Sequence, residues 1–135
     1  MYDVADYGLL GARVCLSAVF LYSGIDKLAH WREGVVEVSA LRLPQPALFL
    51  GLTIVVQLGA GLMVLLGFYA RVGALLLFGF TGLATLLAHR FWQDDGPERR
   101  RNLTTALEHL AIMGGFLLIL ALGAGNIALD RPDGP

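Results

Sequence analysis

The sequence predicts an all-α integral membrane protein, an antiparallel four-helix bundle, and three observations carry that expectation. Hydrophobic residues make up 56% of the 135 and charged residues only 16%, below the roughly 25% charged residues of soluble domains. Mean hydropathy is +0.67. The apolar residues gather in four runs, each near the ~20 residues a helix needs to cross about 30 Å of hydrocarbon. The whole of 1–135 reads as one membrane domain.

The first run, 8–27, is broken only by Arg13 and ends in Phe20-Leu21-Tyr22-Ser23-Gly24-Ile25-Asp26-Lys27. Met1 to Tyr7 carries Asp3 and Asp6 but no Lys or Arg. A cleaved secretory signal needs a basic start, so this run is expected to stay as an anchor. The stretch 30–43 is too short to span. Trp31, Val35, Val38 and Leu41 recur there near helical spacing, with Arg32, Glu33, Glu37 and Arg42 between them. That pattern predicts a short interfacial helix, with an ordinary polar loop as the alternative. The second run, 47–68, is uncharged and holds Thr53 and Gln57. Pro44-Gln45-Pro46 leads into it, where proline's missing N–H costs nothing in a first helical turn. The third run, 72–88, has Thr81 and Thr85 as its polar side chains, and the short link before it predicts a tight antiparallel hairpin. Asp94-Asp95-Gly96-Pro97 reads as a turn. The fourth run, 103–124, is wholly apolar only after His109, and 130–135 reads as a polar tail.

Basic residues set the expected orientation. Lys27, Arg32 and Arg42 flank the link between runs one and two; Arg90, Arg99, Arg100 and Arg101 flank the link between three and four. The opposite side has Arg71 and Arg131, with Arg13 about a turn inside. Seven against two or three places the two longer links in the cytoplasm and both termini outside. Trp31 and Trp92 then sit at one interface and Tyr7 and Tyr69 at the other, as aromatic belts do. A bacterial inner membrane is the expected location.

Helix alternation gathers Asp26, Lys27, His89, Glu108 and His109 in the cytoplasmic half, with Gln57 near mid-membrane. Lipid cannot satisfy such groups, so they face inward or snorkel to the headgroups. Thr81, Thr85 and His89 recur every four residues, as do Thr105 and His109, and Ser23 and Lys27. These stripes predict one polar pocket from Asp26, Lys27, Gln57, Thr85, His89, Glu108 and His109. Each residue has a plainer alternative. Lys27 can snorkel, Asp26 can pair with a basic neighbour, and His89 can sit at the interface. Glu108 can meet Arg100 or Arg101, Gln57 can bond between helices, and the threonines can return hydrogen bonds to their own helix. Arg13 is expected to snorkel outward or pair with Asp3 or Asp6.

Several chemistries are excluded or unsupported. A lone Cys15 forms neither a disulfide framework nor a CxxC relay within one chain. His89, His109, Glu108 and Asp26 could in principle supply mixed metal ligands, and His89 with His109 a bis-histidine haem site, but no HxxxH or ExxH spacing puts two ligands on one helical face, so neither metal nor haem is expected. Nucleophilic triads, phosphate loops and dinucleotide fingerprints are absent, and nothing points to nucleic acid.

The chain resembles the DoxX family of small bacterial four-helix membrane proteins over nearly its whole length. Phe20-Leu21-Tyr22-Ser23-Gly24-Ile25-Asp26-Lys27-Leu28 is similar to the family's aromatic-rich stretch ending in Ser-Gly-x-x-Lys. Gln57-Leu58-Gly59-Ala60-Gly61-Leu62, Leu65-Leu66-Gly67-Phe68-Tyr69-Ala70-Arg71 and His89-Arg90-Phe91-Trp92 continue the likeness. Leu110-Ala111-Ile112-Met113-Gly114-Gly115-Phe116-Leu117-Leu118, Gly123-Ala124-Gly125 and Leu129-Asp130 complete it. Many relatives have Glu where Gln57 stands, and Lys-Asn where this chain has Glu108-His109. The resemblance implies membership beside a membrane subunit of an archaeal thiosulfate:quinone oxidoreductase and proteins linked to oxidative-stress assemblies.

Three functions are expected from these readings. The first is an accessory or anchoring subunit that holds a soluble redox protein at the cytoplasmic face, with Arg99-Arg100-Arg101 as docking patch or topology signal. The second is quinone binding, with His89, His109, Asp26 or Glu108 exchanging protons and a partner supplying electrons. The third is a small transporter or binder of a hydrophobic molecule, which a homo-oligomer could complete. No cofactor other than a quinone is suggested, and no catalytic motif marks an enzyme.

Overall fold

The computed structural model describes residues 1–130, so Arg131 and the rest of the expected polar tail lie outside the described residues. Five α-helices and one 3₁₀ turn follow in order: α1 Val4–Ala29, α2 Trp31–Ala40, α3 Pro46–Leu66, α4 Ala70–Ala88, the turn Phe91–Gln93, and α5 Gly96–Leu122. Four of them, α1, α3, α4 and α5, are long and apolar enough to cross a membrane. The short helix expected between the first two spans is present as α2, with Gly34 buried against Leu50 of α3.

Local chemistry explains the ends of the helices. Asp3 caps α1: its carboxylate accepts from Asp6 N at 2.9 Å, and Asp6 Oδ2 accepts from Asp3 N at 3.1 Å. This reciprocal pair satisfies backbone donors that a helix start leaves open. Gly67 ends α3 at φ 69°. Its N–H reaches Val64 O at 3.3 Å and Phe68 N reaches Met63 O at 3.0 Å, the paired bonds of a Schellman closure. The αL geometry turns the chain directly into α4. α5 begins at Gly96, seven residues before the apolar run at 103, because Gly96-Pro97 suits a first turn. Its 27 residues span about 40 Å at ~1.5 Å per residue, so this helix outreaches the hydrocarbon.

The spans pack in a ring, α1 on α3, α3 on α4 and α4 on α5, with α5 returning to α1 through a thinner contact. The core is apolar: Phe20, Ala60, Val64, Ala74, Leu77, Phe116 and Ile119 are all buried. Leu52, Val55, Leu75, Leu83, Leu117 and Leu118 point outward and are exposed. An outer face as apolar as the interior is what lipid requires.

One end of the bundle holds Lys27, Arg90 and Arg99 to Arg101 and is called here the basic end. The other is closed by the segment after α5 and is called the tail end. There, Leu129 N donates to Leu66 O and Asp130 N to Gly67 O, both at 3.0 Å, while Tyr69 N donates to the Asp130 carboxylate. Asn126 N donates to Asp6 Oδ1 at 3.0 Å. Arg13 neither snorkels nor pairs with Asp3 or Asp6. It is 1% exposed and its Nη2 donates to Ile127 O at 2.6 Å. The tail brings one backbone carbonyl to the guanidinium, whose Nε and Nη1 stay buried without a partner.

Candidate functional site at the basic end

Five of the seven expected pocket residues, Lys27, Gln57, Thr85, His89 and His109, fall in two separate side-chain groups, one between α1 and α3 and one between α4 and α5. The first joins α1 to α3. Ser23 and Lys27 are one turn apart on α1, and Lys27 Nζ donates to Ser23 Oγ at 2.5 Å. Gln57 Nε2 of α3 donates to the same oxygen at 3.2 Å. Gln57 is 5% exposed and its Oε1 has no partner. A buried acceptor left open costs about 1–3 kcal/mol, so this oxygen is a standing request for a donor.

The second group joins α4 to α5. Thr85 Oγ1 donates to Thr81 O at 2.8 Å, so toward His109 Nδ1, 2.7 Å away, it can only accept. The His109 proton therefore sits on Nδ1 and its Nε2 keeps a free lone pair. Asn102 Nδ2 donates to Asp94 Oδ2 at 2.5 Å. That turns its Oδ1 toward His89 Nδ1 at 3.3 Å, which makes His89 Nδ1 the donor and leaves its Nε2 open as well. The two imidazoles meet edge to face, centroids 5.2 Å apart at 82°. Both rings are thus held on one nitrogen and available on the other.

An aromatic floor lies below both groups. Phe20 is 5.6 Å from Phe116 and 6.4 Å from Phe80, centroid to centroid. Glu108 is exposed and lines a groove along α5 with Arg100, Arg101, Thr104 and Thr105; among the described residues it has no ion pair with either arginine. Asp26 stays apart from both groups. It is exposed and pairs with His30 at 3.2 Å. His30 lies between α1 and α2, where the Asp26 backbone carbonyl, then the Asp26 and Glu33 carboxylates, raise its pKa above the ordinary value.

Asn102 and Asp94 belong to the second group and carry no mark in the sequence beyond one spacing. Asn102 precedes His109 by seven residues, two helical turns, and so shares its face. Chemically, the basic end offers an ammonium donor at Lys27 and lone pairs at Gln57, His89 and His109. Among the described residues no cluster of three His, Cys, Asp or Glu could hold a metal ion.

Comparison with known proteins agrees with this architecture. The DoxX family profile matches residues 8–90. The inner membrane protein YqjF of Escherichia coli K12 is 31% identical over 131 residues, covering 97% of this chain and 95% of its own. The inner membrane protein YphA of the same organism is 29% identical over 123 residues, covering 91% and 88%. No solved structure matches the chain. With the family profile covering more than half of the sequence and a relative matched almost end to end, this four-helix membrane protein belongs to the DoxX family.

Proposed function

We propose that the protein is an accessory subunit of a membrane redox system, set with its basic end in the cytoplasm, where it receives the head group of a quinone. The supporting observation is the layer above the Phe20–Phe116 floor, where Lys27 offers a donor and His109 Nε2 an acceptor. A quinone head needs hydrogen bonds to its carbonyls and an apolar channel for its tail. A reduced head needs acceptors for its hydroxyls, which the imidazoles and Gln57 Oε1 supply. The chain carries no electron carrier of its own, so a soluble redox protein at the basic face delivers the electrons. Seven of the ten Lys and Arg residues of the chain flank that face, which favours cytoplasmic placement.

Titration of the purified protein with a short-tailed ubiquinone analogue tests the head-group site. Saturable binding that weakens at least tenfold in His109→Ala supports it, and no binding to the wild-type protein sinks it. The subunit role is tested separately by affinity purification in mild detergent. A stoichiometric partner supports it; a solitary homo-oligomer overturns it.

A further inference from the structure

Two of the three histidines in the chain meet across the α4–α5 seam, although neither has a His, Cys, Asp or Glu one turn away on its own helix. What each ring does with its Nδ1 shows how they face. His89 Nδ1 is turned to Asn102 Oδ1 and His109 Nδ1 to Thr85 Oγ1. Because α4 and α5 run antiparallel, these partners lie on opposite sides of the pair. Asn102 is about two turns nearer the basic end than His109, and Thr85 is about one turn nearer the bundle centre than His89. His109 also leans toward the start of its own helix, which is the basic end, and so toward His89. The two Nδ1 atoms therefore point apart along the seam, and the Nε2 edge of each ring is turned toward the other.

The spacing of the rings suits one ion between them. A zinc-type ion sits about 2.0–2.1 Å from an imidazole nitrogen, hence roughly 3.2 Å from the ring centroid, and at a tetrahedral angle two such centroids stand about 5.2 Å apart. The observed separation is 5.2 Å, with the rings at 82°. A haem iron would instead hold two axial imidazoles on opposite sides of the metal and farther apart. Each ring is also held through its other nitrogen by an oxygen, and the Asn102 oxygen is itself oriented by the Asp94 carboxylate on Nδ2. Outer partners of this kind fix the tautomer and direction of metal-bound histidines. Imidazole pairs favour zinc, copper or nickel over magnesium or calcium.

We infer that His89 and His109 bind one divalent transition-metal ion of the zinc type between α4 and α5, with water or a ligand oxygen in the remaining positions. Asn102 and Asp94 are positioning residues for His89, as Thr85 is for His109. The ion ties the end of α4 to α5 beside the basic face. This inference goes beyond the quinone reading and does not depend on it, since no quinone enters its test.

Full-length protein without a polyhistidine tag, carrying Cys15→Ser so that no thiol competes, is titrated in mild detergent with Co²⁺ and then Zn²⁺. One Co²⁺ per chain, with the strong visible bands of tetrahedral cobalt and displacement by Zn²⁺, is the expected result. This parent protein decides whether a site exists without any substitution at the seam. Affinity should then fall at least tenfold in His89→Ala and in His109→Ala. It should fall about tenfold in Asn102→Leu, which keeps both ligands and removes only an outer partner. His30→Ala should bind as the parent does, because His30 lies apart, paired with Asp26. Absence of saturable Co²⁺ binding to the parent overturns the site, as do the weak bands of octahedral cobalt alone. So does binding that survives the loss of both His89 and His109, or that falls as far in His30→Ala. An unchanged affinity in Asn102→Leu overturns its positioning role.

Discussion

The two ends of this bundle use polar residues in opposite ways. At the tail end, Asp6 and Arg13 are buried and directed to backbone groups of the segment after α5, Asn126 N and Ile127 O. Their hydrogen bonds hold chain to chain, and the end is closed. At the basic end the bonds run between side chains, and several atoms are left over: Gln57 Oε1, the Nε2 atoms of both imidazoles, and two of the three Lys27 protons. Buried unpaired atoms occur at both ends, Arg13 Nε and Nη1 at one and Gln57 Oε1 at the other; what separates the ends is the partner, backbone of the segment after α5 at the tail end and side chains of neighbouring helices at the basic end. The two can be told apart because mutations should cost stability at one and binding at the other.

The largest stability loss is expected from Arg13→Ala. It leaves a cavity, strips Ile127 O of its donor and loosens the strap over the tail end, offset in part by removal of two unpaired buried N–H groups, for a net loss of about 3 kcal/mol. Denaturation in detergent measures it, and a loss no bigger than that of a lipid-facing residue would erase the contrast between the ends. Gly67→Ala comes next, at about 2–3 kcal/mol. Its φ of 69° disfavours a Cβ, which would also run into Ala128 and the Arg13 guanidinium. Retained stability in that variant would mean that the tail sits loosely on the hairpin.

At the basic end, Gln57→Leu should cost no more than about 1 kcal/mol, since it removes an unpaired acceptor along with one weak bond. The same assay checks it, and a loss matching Arg13→Ala would show that this end is held just as firmly. The smallest effect belongs to His30. Its pKa is raised in the folded protein, so protonation favours the fold. That contribution is complete below the ordinary value of about 6.5 and fades as pH rises through the raised one. His30→Ala should therefore lower the unfolding temperature slightly at pH 5.5 and leave it unaltered at pH 9. An equal effect at both values would remove the Asp26–His30 pair as its cause.

Much of the fold was legible because its causes are local. A run such as 47–68 declares a span by composition alone, Pro46 announces its start, and the short link through Gly67 allows only a hairpin. Thr85 and His109 were each legible as members of polar stripes, since a spacing of four is a property of one helix. Their bond to one another was not, because it depends on how α4 and α5 are rotated together. Asn102 hid for the same reason: nothing in an exposed-looking Arg-Arg-Arg-Asn stretch says that its amide will orient His89. Asp26 reads in the sequence as one member of the polar pocket, with pairing to a basic neighbour as its alternative. Its direction around α1 carries it away from the bundle, to His30.

By itself, then, the sequence determined the number, length and alternation of the spans, since hydropathy and the helical period act over a few turns. Only the tertiary structure decided that Arg13 stays inside and that the polar residues divide between the α1–α3 and α4–α5 pairs. Those outcomes rest on meetings between residues as much as 114 or 120 positions apart. Such meetings are set by which helix faces fill the core around Phe20, Leu77 and Phe116, and no local pattern encodes that choice.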